Sequence, residues 1–281
     1  MKKPSGTKTQ RCRPRSSSRK KKSAPVSANP SGLAHDIAEQ LEMAGRVQRN
    51  FLPSALPESD TVSFAALFKP ADWVSGDIYD ATRLDETHIG FYVADAVGHS
   101  LPAALLTIFI KQAIQMRQTY ADNTYEIFSP QHVIEHLNRR MLEQQLAGFL
   151  FATSCYFLLD TQTLAASWCR AGHPYPVLIR NDFPNLLQSR GGLLGVFENA
   201  LFQQQSVQLE PGDKILLYSD GAEHLIGKTT DTGEFIFFED FLSIAHLPAA
   251  ELINAINTKA QLSPLPPEHK DDITALALEI L

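Results

Sequence analysis

Four aspartates, each beside a turn signal and at the tip of a strand-like run, constrain this chain more than any other feature. They are Asp77 in V-S-G-D-I-Y-D, Asp95 in F-Y-V-A-D-A-V-G-H-S, Asp220 in I-L-L-Y-S-D-G-A-E and Asp271 in K-D-D-I-T-A-L-A-L. Strands deliver side chains at their tips, and a neighbouring glycine lets the backbone turn sharply there. Four carboxylates arriving at one place repel each other. Some of them must then protonate, or a positive charge must sit among them. Oxygen-only donors suit a hard divalent cation such as Mg²⁺ or Mn²⁺. Two such ions side by side activate a water for attack on phosphorus. The residues alone therefore point to metal-dependent hydrolysis of a phosphate ester.

Charge is unevenly placed along the 281 residues. Residues 1–30 hold ten of the chain's 25 Lys and Arg and no acid, which leaves 15 bases against 31 acids beyond them, a net of −16. The body is acidic and suits nucleic acid poorly. The basic segment 1–30 has almost nothing to bury and reads as a disordered tail. It is either a solvated extension or a tether to an acidic surface, nucleic acid or anionic lipid. Apolar content of 44% fits a globular enzyme with a substantial core. Three cysteines, Cys12, Cys155 and Cys169, make no disulfide framework, and the last two sit in apolar runs as buried thiols. No apolar run approaches the ~20 residues of a membrane span, and the basic start is not followed by a secretory apolar stretch. Cytoplasm is the expected location.

Residues 33–52 read as a helix, with Ile37, Leu41, Ala44, Gln48 and Phe51 at helical spacing and Pro53 ending it. Strands are expected over Thr61–Lys69 and His88–Ala94, and a helix over Leu101–Thr119 with Ser100 as N-cap. A second helix is expected over Pro130–Leu146, with Ser129 as N-cap. Phe151–Leu159, Leu164–Ala171 and Pro176–Arg180 suggest an antiparallel meander, with Asp160–Thr163 as a hairpin loop. Gln205–Leu209 and Lys214–Ser219 are two strands joined by Glu-Pro-Gly-Asp at 210–213. Phe241–Leu262 is helical and broken at Pro248, and Ile273–Ile280 is a closing strand. Many antiparallel strands with a few long helices indicate an α+β fold.

The ordered blocks G-D-x-x-D, D-x-x-G-H, A-G-H-x-x-P, P-G-D…Y-S-D-G-x-E and D-D-I-T resemble the PPM-type metal-dependent Ser/Thr protein phosphatases, nearest the bacterial RsbU/SpoIIE-like branch. The resemblance runs from about Gln48 to the end. Ala44-Gly-Arg-Val-Gln-Arg-Asn-Phe-Leu-Pro53 is similar to the segment that precedes the domain in that family. It implies two antiparallel sheets packed as a sandwich between helical layers, with a basic tail (1–30), a linker or regulatory helix (31–57) and a phosphatase domain (58–281). It implies two Mn²⁺ or Mg²⁺ ions, ligated by Asp77, Asp95, Asp220 and Asp271 and by the backbone carbonyl of Ala96. Asp272 is the alternative to Asp271, and Gly76 and Gly221 let backbone approach the cluster. Water held by the two ions would attack phosphorus in line. The implied substrate is a phosphoserine or phosphothreonine protein, an anti-sigma-factor antagonist in a partner-switching pathway. Residues 33–52 would dimerise or receive an upstream activator.

The chain departs from the family pattern at Ser75, Ala96, Val97, Ser100 and Arg170, the last standing where Asn is usual before A-G-H. The arginine that grips substrate phosphate in eukaryotic members has no evident match, with Lys69 the nearest basic residue in the region. Asp80 is a turn, supporting or ligating residue. His99 and His173 are structural histidines or catalytic acids, Glu223 is a neighbour of the cluster, and Ser219 lacks the G-x-S-x-G context of a nucleophile. Two rivals remain at the level of sequence: a catalytically degenerate binding module, and a hydrolase of small phosphate esters.

Overall fold

The computed structural model describes residues 30–98, 100–145, 150–262, 266 and 270–281, with side chains from residue 35 onward. The basic tail, Cys12 and His99 lie outside the described residues. The elements in chain order are α1 (Pro30–Arg49), β1 (Val62–Lys69), β2 (Asp77–Arg83), β3 (His88–Ala96), α2 (Leu101–Ala113), β4 (Arg117–Thr119), β5 (Tyr125–Ile127) and α3 (Pro130–Glu143). They continue with β6 (Ala152–Asp160), β7 (Ala165–Ala171), β8 (Val177–Arg180), β9 (Phe183–Leu186), β10 (Gln204–Gln208) and β11 (Lys214–Tyr218). The last are α4 (Asp220–Ile226), β12 (Gly227–Thr229), β13 (Phe235–Phe237), α5 (Glu239–Leu242), α6 (Ala249–Leu262) and β14 (Ile273–Ile280).

Two five-stranded antiparallel sheets carry the fold, ordered β1-β14-β11-β8-β9 and β10-β7-β6-β3-β2. Alternating side chains send one face of each sheet inward. Phe91, Val93, Cys155, Phe157 and Trp168 from the second sheet meet Phe64, Ile215, Leu217, Leu276 and Leu278 from the first. Phe157 stacks on Phe91 at 5.1 Å and on Trp168 at 5.5 Å. The outer face of the second sheet buries α2 and α3 through Leu106, Ile110, Val133, Ile134 and Leu137. The outer face of the first buries α4 to α6 through Leu225, Phe241, Leu252 and Ile256. The expected sandwich between helical layers is therefore the observed one. Cys155 and Cys169 are free buried thiols, as expected.

Two expectations need correction. The helix expected over Leu101–Thr119 stops at Ala113, because Ile114 is extended (φ −67°, ψ 122°). Residues 117–119 then pair with 125–127, with Arg117 over the Tyr125 ring at 4.0 Å and Tyr120 donating to Glu126 at 2.7 Å. Gln, Met and Arg there are good helix formers, so only the pairing with 125–127 marks the boundary. The meander also breaks. β6 and β7 pair, but β8 joins the other sheet beside β11. Pro174 and Pro176 cannot donate to a ladder and free the chain to cross between sheets. β10 and β11 are joined at 210–213 as expected, and that turn passes from one sheet to the other. Ser129 caps α3 as expected, accepting from His132 N at 3.4 Å, whereas Ser100 makes no side-chain cap bond.

Candidate metal centre

One end of the sandwich collects the aspartates. Asp77 opens β2 rather than closing a strand, and its register partner is Asp95 near the end of β3. From the facing sheet come Asp220, two residues past β11, and Asp271 and Asp272, just ahead of β14. Asp77 and Asp272 are buried, Asp95 is half-buried, and Asp220 and Asp271 are exposed.

Asp272 ties the two sheets together. Its Oδ1 accepts from Ala71 N and its Oδ2 from Gly76 N, both at 2.6 Å. With both oxygens engaged, its carboxylate is a clamp on the loop that leads into Asp77. Ser219 is buried and structural: its Oγ donates to Asp272 O at 3.3 Å and accepts from Thr274 N at 3.0 Å. The close backbone approaches expected at two glycines are present. A Cβ on Gly76 would lie 2.7 Å from Ala96 O, and one on Gly221 would lie 2.1 Å from Asp272 O.

The charges are mutually unfavourable. Burial pushes the Asp77 carboxyl well above the usual range, and Asp95 and Asp272 add to the rise. Burial raises Asp95 to about 8, with Asp220, Asp271 and Asp272 contributing. Burial and then Asp271 raise Asp220, and Glu223 rises through burial and its neighbour Asp220. Asp77 Oδ2 is buried without a hydrogen-bond partner among the described residues. An all-oxygen donor set with a buried, unpaired carboxylate oxygen fits hard divalent cations. Among the described residues no three acidic, His or Cys side chains converge on one coordination point, so the fit rests on donor chemistry and charge.

These shifts predict a pH dependence. Asp95 has a folded value near 8 against an unfolded value of about 4. Its contribution to stability is therefore present below pH ~4 and lost as pH rises through 8. Asp85, lowered to about 2 chiefly by bonds from Thr87 and His88 that outweigh its desolvation, keeps its contribution across this window. In chelator the protein should melt several degrees higher at pH 5.5 than at pH 8.5, and Asp95→Asn should reduce that difference in a thermal melt, with the raised Asp77, Asp220 and Glu223 supplying the rest.

Other candidates fall elsewhere. Asp80 points to the opposite face of its strand, where Lys111 of α2 pairs with it at 2.5 Å and Thr82 donates to it at 3.1 Å. It braces a helix and is no ligand. His173 is buried and lines the cleft beside the carboxylates; its Nδ1 lies 2.8 Å from Thr153 Oγ1, its Nε2 has no partner among the described residues, and burial lowers it to about 3. Lys69 donates to Ala260 O at 3.1 Å. A cleft of about 320 Å³ adjoins the carboxylates, lined by Asp95, Asp220, Glu223, Thr153, Arg170 and Tyr175, among others. Its basic residue is Arg170. In the sequence Arg170 is marked only as a departure from the family pattern; its register in β7 places it at the cleft. A larger hollow of about 590 Å³ lies beside α3 and touches none of the carboxylates.

A sandwich of antiparallel sheets with an acidic centre at one end is the architecture of PP2C-type domains. The chain superposes on the SiaA-PP2C domain of Pseudomonas aeruginosa with a TM-score of 0.70 and 22% identity, over 89% of this chain and 99% of that one. It shares the fold of RsbX, solved in complex with magnesium, with a TM-score of 0.56 and 18% identity over 81% of this chain and 99% of that one. The family model for Stage II sporulation protein E (SpoIIE) matches residues 85–281. The chain belongs to the SpoIIE family. Phosphoserine phosphatase RsbU of Bacillus subtilis is 30% identical over 194 residues, covering 68% of this chain and 55% of that protein. The chain spans about half the length of the curated relatives it matches.

Proposed function

We propose that the chain is a metal-dependent protein serine/threonine phosphatase. The observation that carries this reading is the self-repelling carboxylate group at the sandwich end, with the buried Asp77 oxygen left unpaired. Asp77, Asp95, Asp220, Asp271 and the Ala96 carbonyl would hold two Mn²⁺ or Mg²⁺ ions. Asp271 is preferred to Asp272 because both Asp272 oxygens already accept backbone N–H groups. When bound, the ions supply an acidified water and offset charge on phosphate oxygens. The chain's own part is positional. Asp272 and Gln48 pin the loop before Asp77, and the tight backbone at Gly76 and Gly221 brings the two sheets' carboxylates together.

The substrate in this reading is a phosphoserine or phosphothreonine protein, and by likeness to RsbU an anti-sigma-factor antagonist in a partner-switching pathway. Exposed Asp220 and Asp271 leave the cleft open to a protein segment. Phosphate release with Mn²⁺ should favour a phosphoserine protein over free phosphate metabolites by at least about 100-fold in kcat/KM, roughly 2.7 kcal/mol of discrimination. Equal rates would favour the small-ester hydrolase, and absent metal binding the degenerate module. Cytoplasmic location belongs to the same reading. No helix among the described residues is long and apolar enough to cross a membrane.

The regulatory role of residues 33–52 is part of the proposal too. Ile37, Met43 and Val47 of α1 are exposed, free for a second copy or an activator. The buried Gln48 donates to Ser75 O (2.6 Å) and Thr107 Oγ1 (2.9 Å) and accepts from Ser75 N (2.9 Å). It thus joins α1, α2 and the Asp77 loop. Gln48→Ala leaves the Ser75 backbone groups buried and unsatisfied. It should cost about 1–3 kcal/mol in urea unfolding, and turnover should fall with it.

A further inference from the structure

We infer that Arg170 binds the phosphoryl group of the substrate from the wall of the cleft that it shares with Asp95 and Asp220. This deepens the phosphatase reading and rests on it.

Register places Arg170 on the correct face. Val93 pairs with Cys155 and Cys155 with Arg170, so the three share one row across β3, β6 and β7. Asp95 lies two residues beyond Val93 and therefore on the same face. Val93 and Cys155 face the inter-sheet core, so the Arg170 side chain also enters between the sheets, toward the end that holds Asp77 and Asp95. Two strand spacings, roughly 10 Å, separate the β3 and β7 backbones. A long side chain and a phosphoryl group together bridge that span. Asp95, Asp220 and Arg170 line the same cleft.

The guanidinium is held ready. Nε and Nη2 donate to Ser189 O at 3.2 and 2.8 Å, and Nη1 donates to His173 O at 2.6 Å. The Tyr175 ring lies under it at 4.4 Å. Of five N–H groups, three are engaged by these bonds. One on each terminal nitrogen has no partner among the described residues. Two N–H groups on one planar head match the oxygens of a phosphate. Among the described residues no carboxylate pairs with this cation; its hydrogen-bond partners are neutral carbonyls. Its charge is therefore available to an anion. A substrate phosphoryl group would sit between this cation and the metal-binding carboxylates.

The test measures binding of inorganic phosphate to the full chain loaded with Mn²⁺, by calorimetry, beside turnover of a phosphoserine protein. Arg170→Gln should weaken phosphate binding about 10- to 100-fold, the range for a charged hydrogen bond, with Mn²⁺ affinity unchanged. Arg170→Lys keeps charge but loses the fork and should weaken it about threefold. Tyr175→Leu removes the supporting ring and should do the same, so these two carry the test if Arg170→Gln fails to fold. Unchanged phosphate affinity in Arg170→Gln and Arg170→Lys, or no phosphate binding by the wild type, overturns the inference. So does a rise in KM with phosphate affinity unchanged. Normal turnover with Arg170-independent phosphate binding sinks only this inference. Arg170-dependent phosphate binding without turnover of any phosphoprotein sinks only the phosphatase reading.

Discussion

Asp77→Asn should lower phosphate release by at least about a thousandfold while making the metal-free protein more stable. Both effects come from one carboxylate. Asp77 is buried, faces Asp95 across the β2–β3 ladder and has an oxygen without a partner. Ionised, it suffers desolvation and repulsion together, so a neutral amide of the same shape relieves the metal-free fold. The same change removes an anionic donor and weakens cation binding. Loss of the metal-supplied nucleophile and charge stabilisation is worth several kcal/mol in the barrier. Phosphate release and urea unfolding in chelator read the two effects separately. An ordinary destabilised variant would lose both activity and stability; this one should separate them.

Gly221→Ala should damage both the fold and turnover. The added Cβ would sit 2.1 Å from Asp272 O and 3.1 Å from Asp271 Cβ. The 271–272 segment must move, and with it the carboxylate that clamps Ala71 and Gly76. Overpacking of this kind costs about 1–3 kcal/mol, and misplacing the donors by about 1 Å should lower turnover roughly 100-fold. Gly212→Ala is the control. Gly212 has φ +88° with open space around its Cβ, and it lies away from the carboxylates. It should cost about 1 kcal/mol of backbone strain and leave turnover intact.

The family and sandwich were legible because strand tips, glycines and aspartates recur in order, and local sequence carries each of them. Asp77, Asp95, Asp220 and Asp271 all reach the same end of the molecule because β2, β3, β11 and β14 share that end. What sequence could not give was pairing across the sheets. The crossing of β8 and the separation of β10 from β11 depend on distant partners, and α2 ends early at Ala113 ahead of the short β4–β5 hairpin. The small strands β4, β5, β12 and β13 have only three residues each, too few for a period to register. Asp80 and Asp272 look like ligands in a motif, yet each is occupied by Lys111 or by backbone N–H groups. Arg170 shows the reverse. A residue that departs from the family pattern is placed beside the cleft by its register.

The most direct test of the central claim is phosphate release from a phosphoserine protein, followed as Mn²⁺ is titrated into metal-free protein. Release should be absent in chelator and rise with the occupancy of sites that Asp77→Asn and Asp220→Asn weaken. Release that persists in chelator, or that survives both substitutions, would contradict a metal centre built on these aspartates.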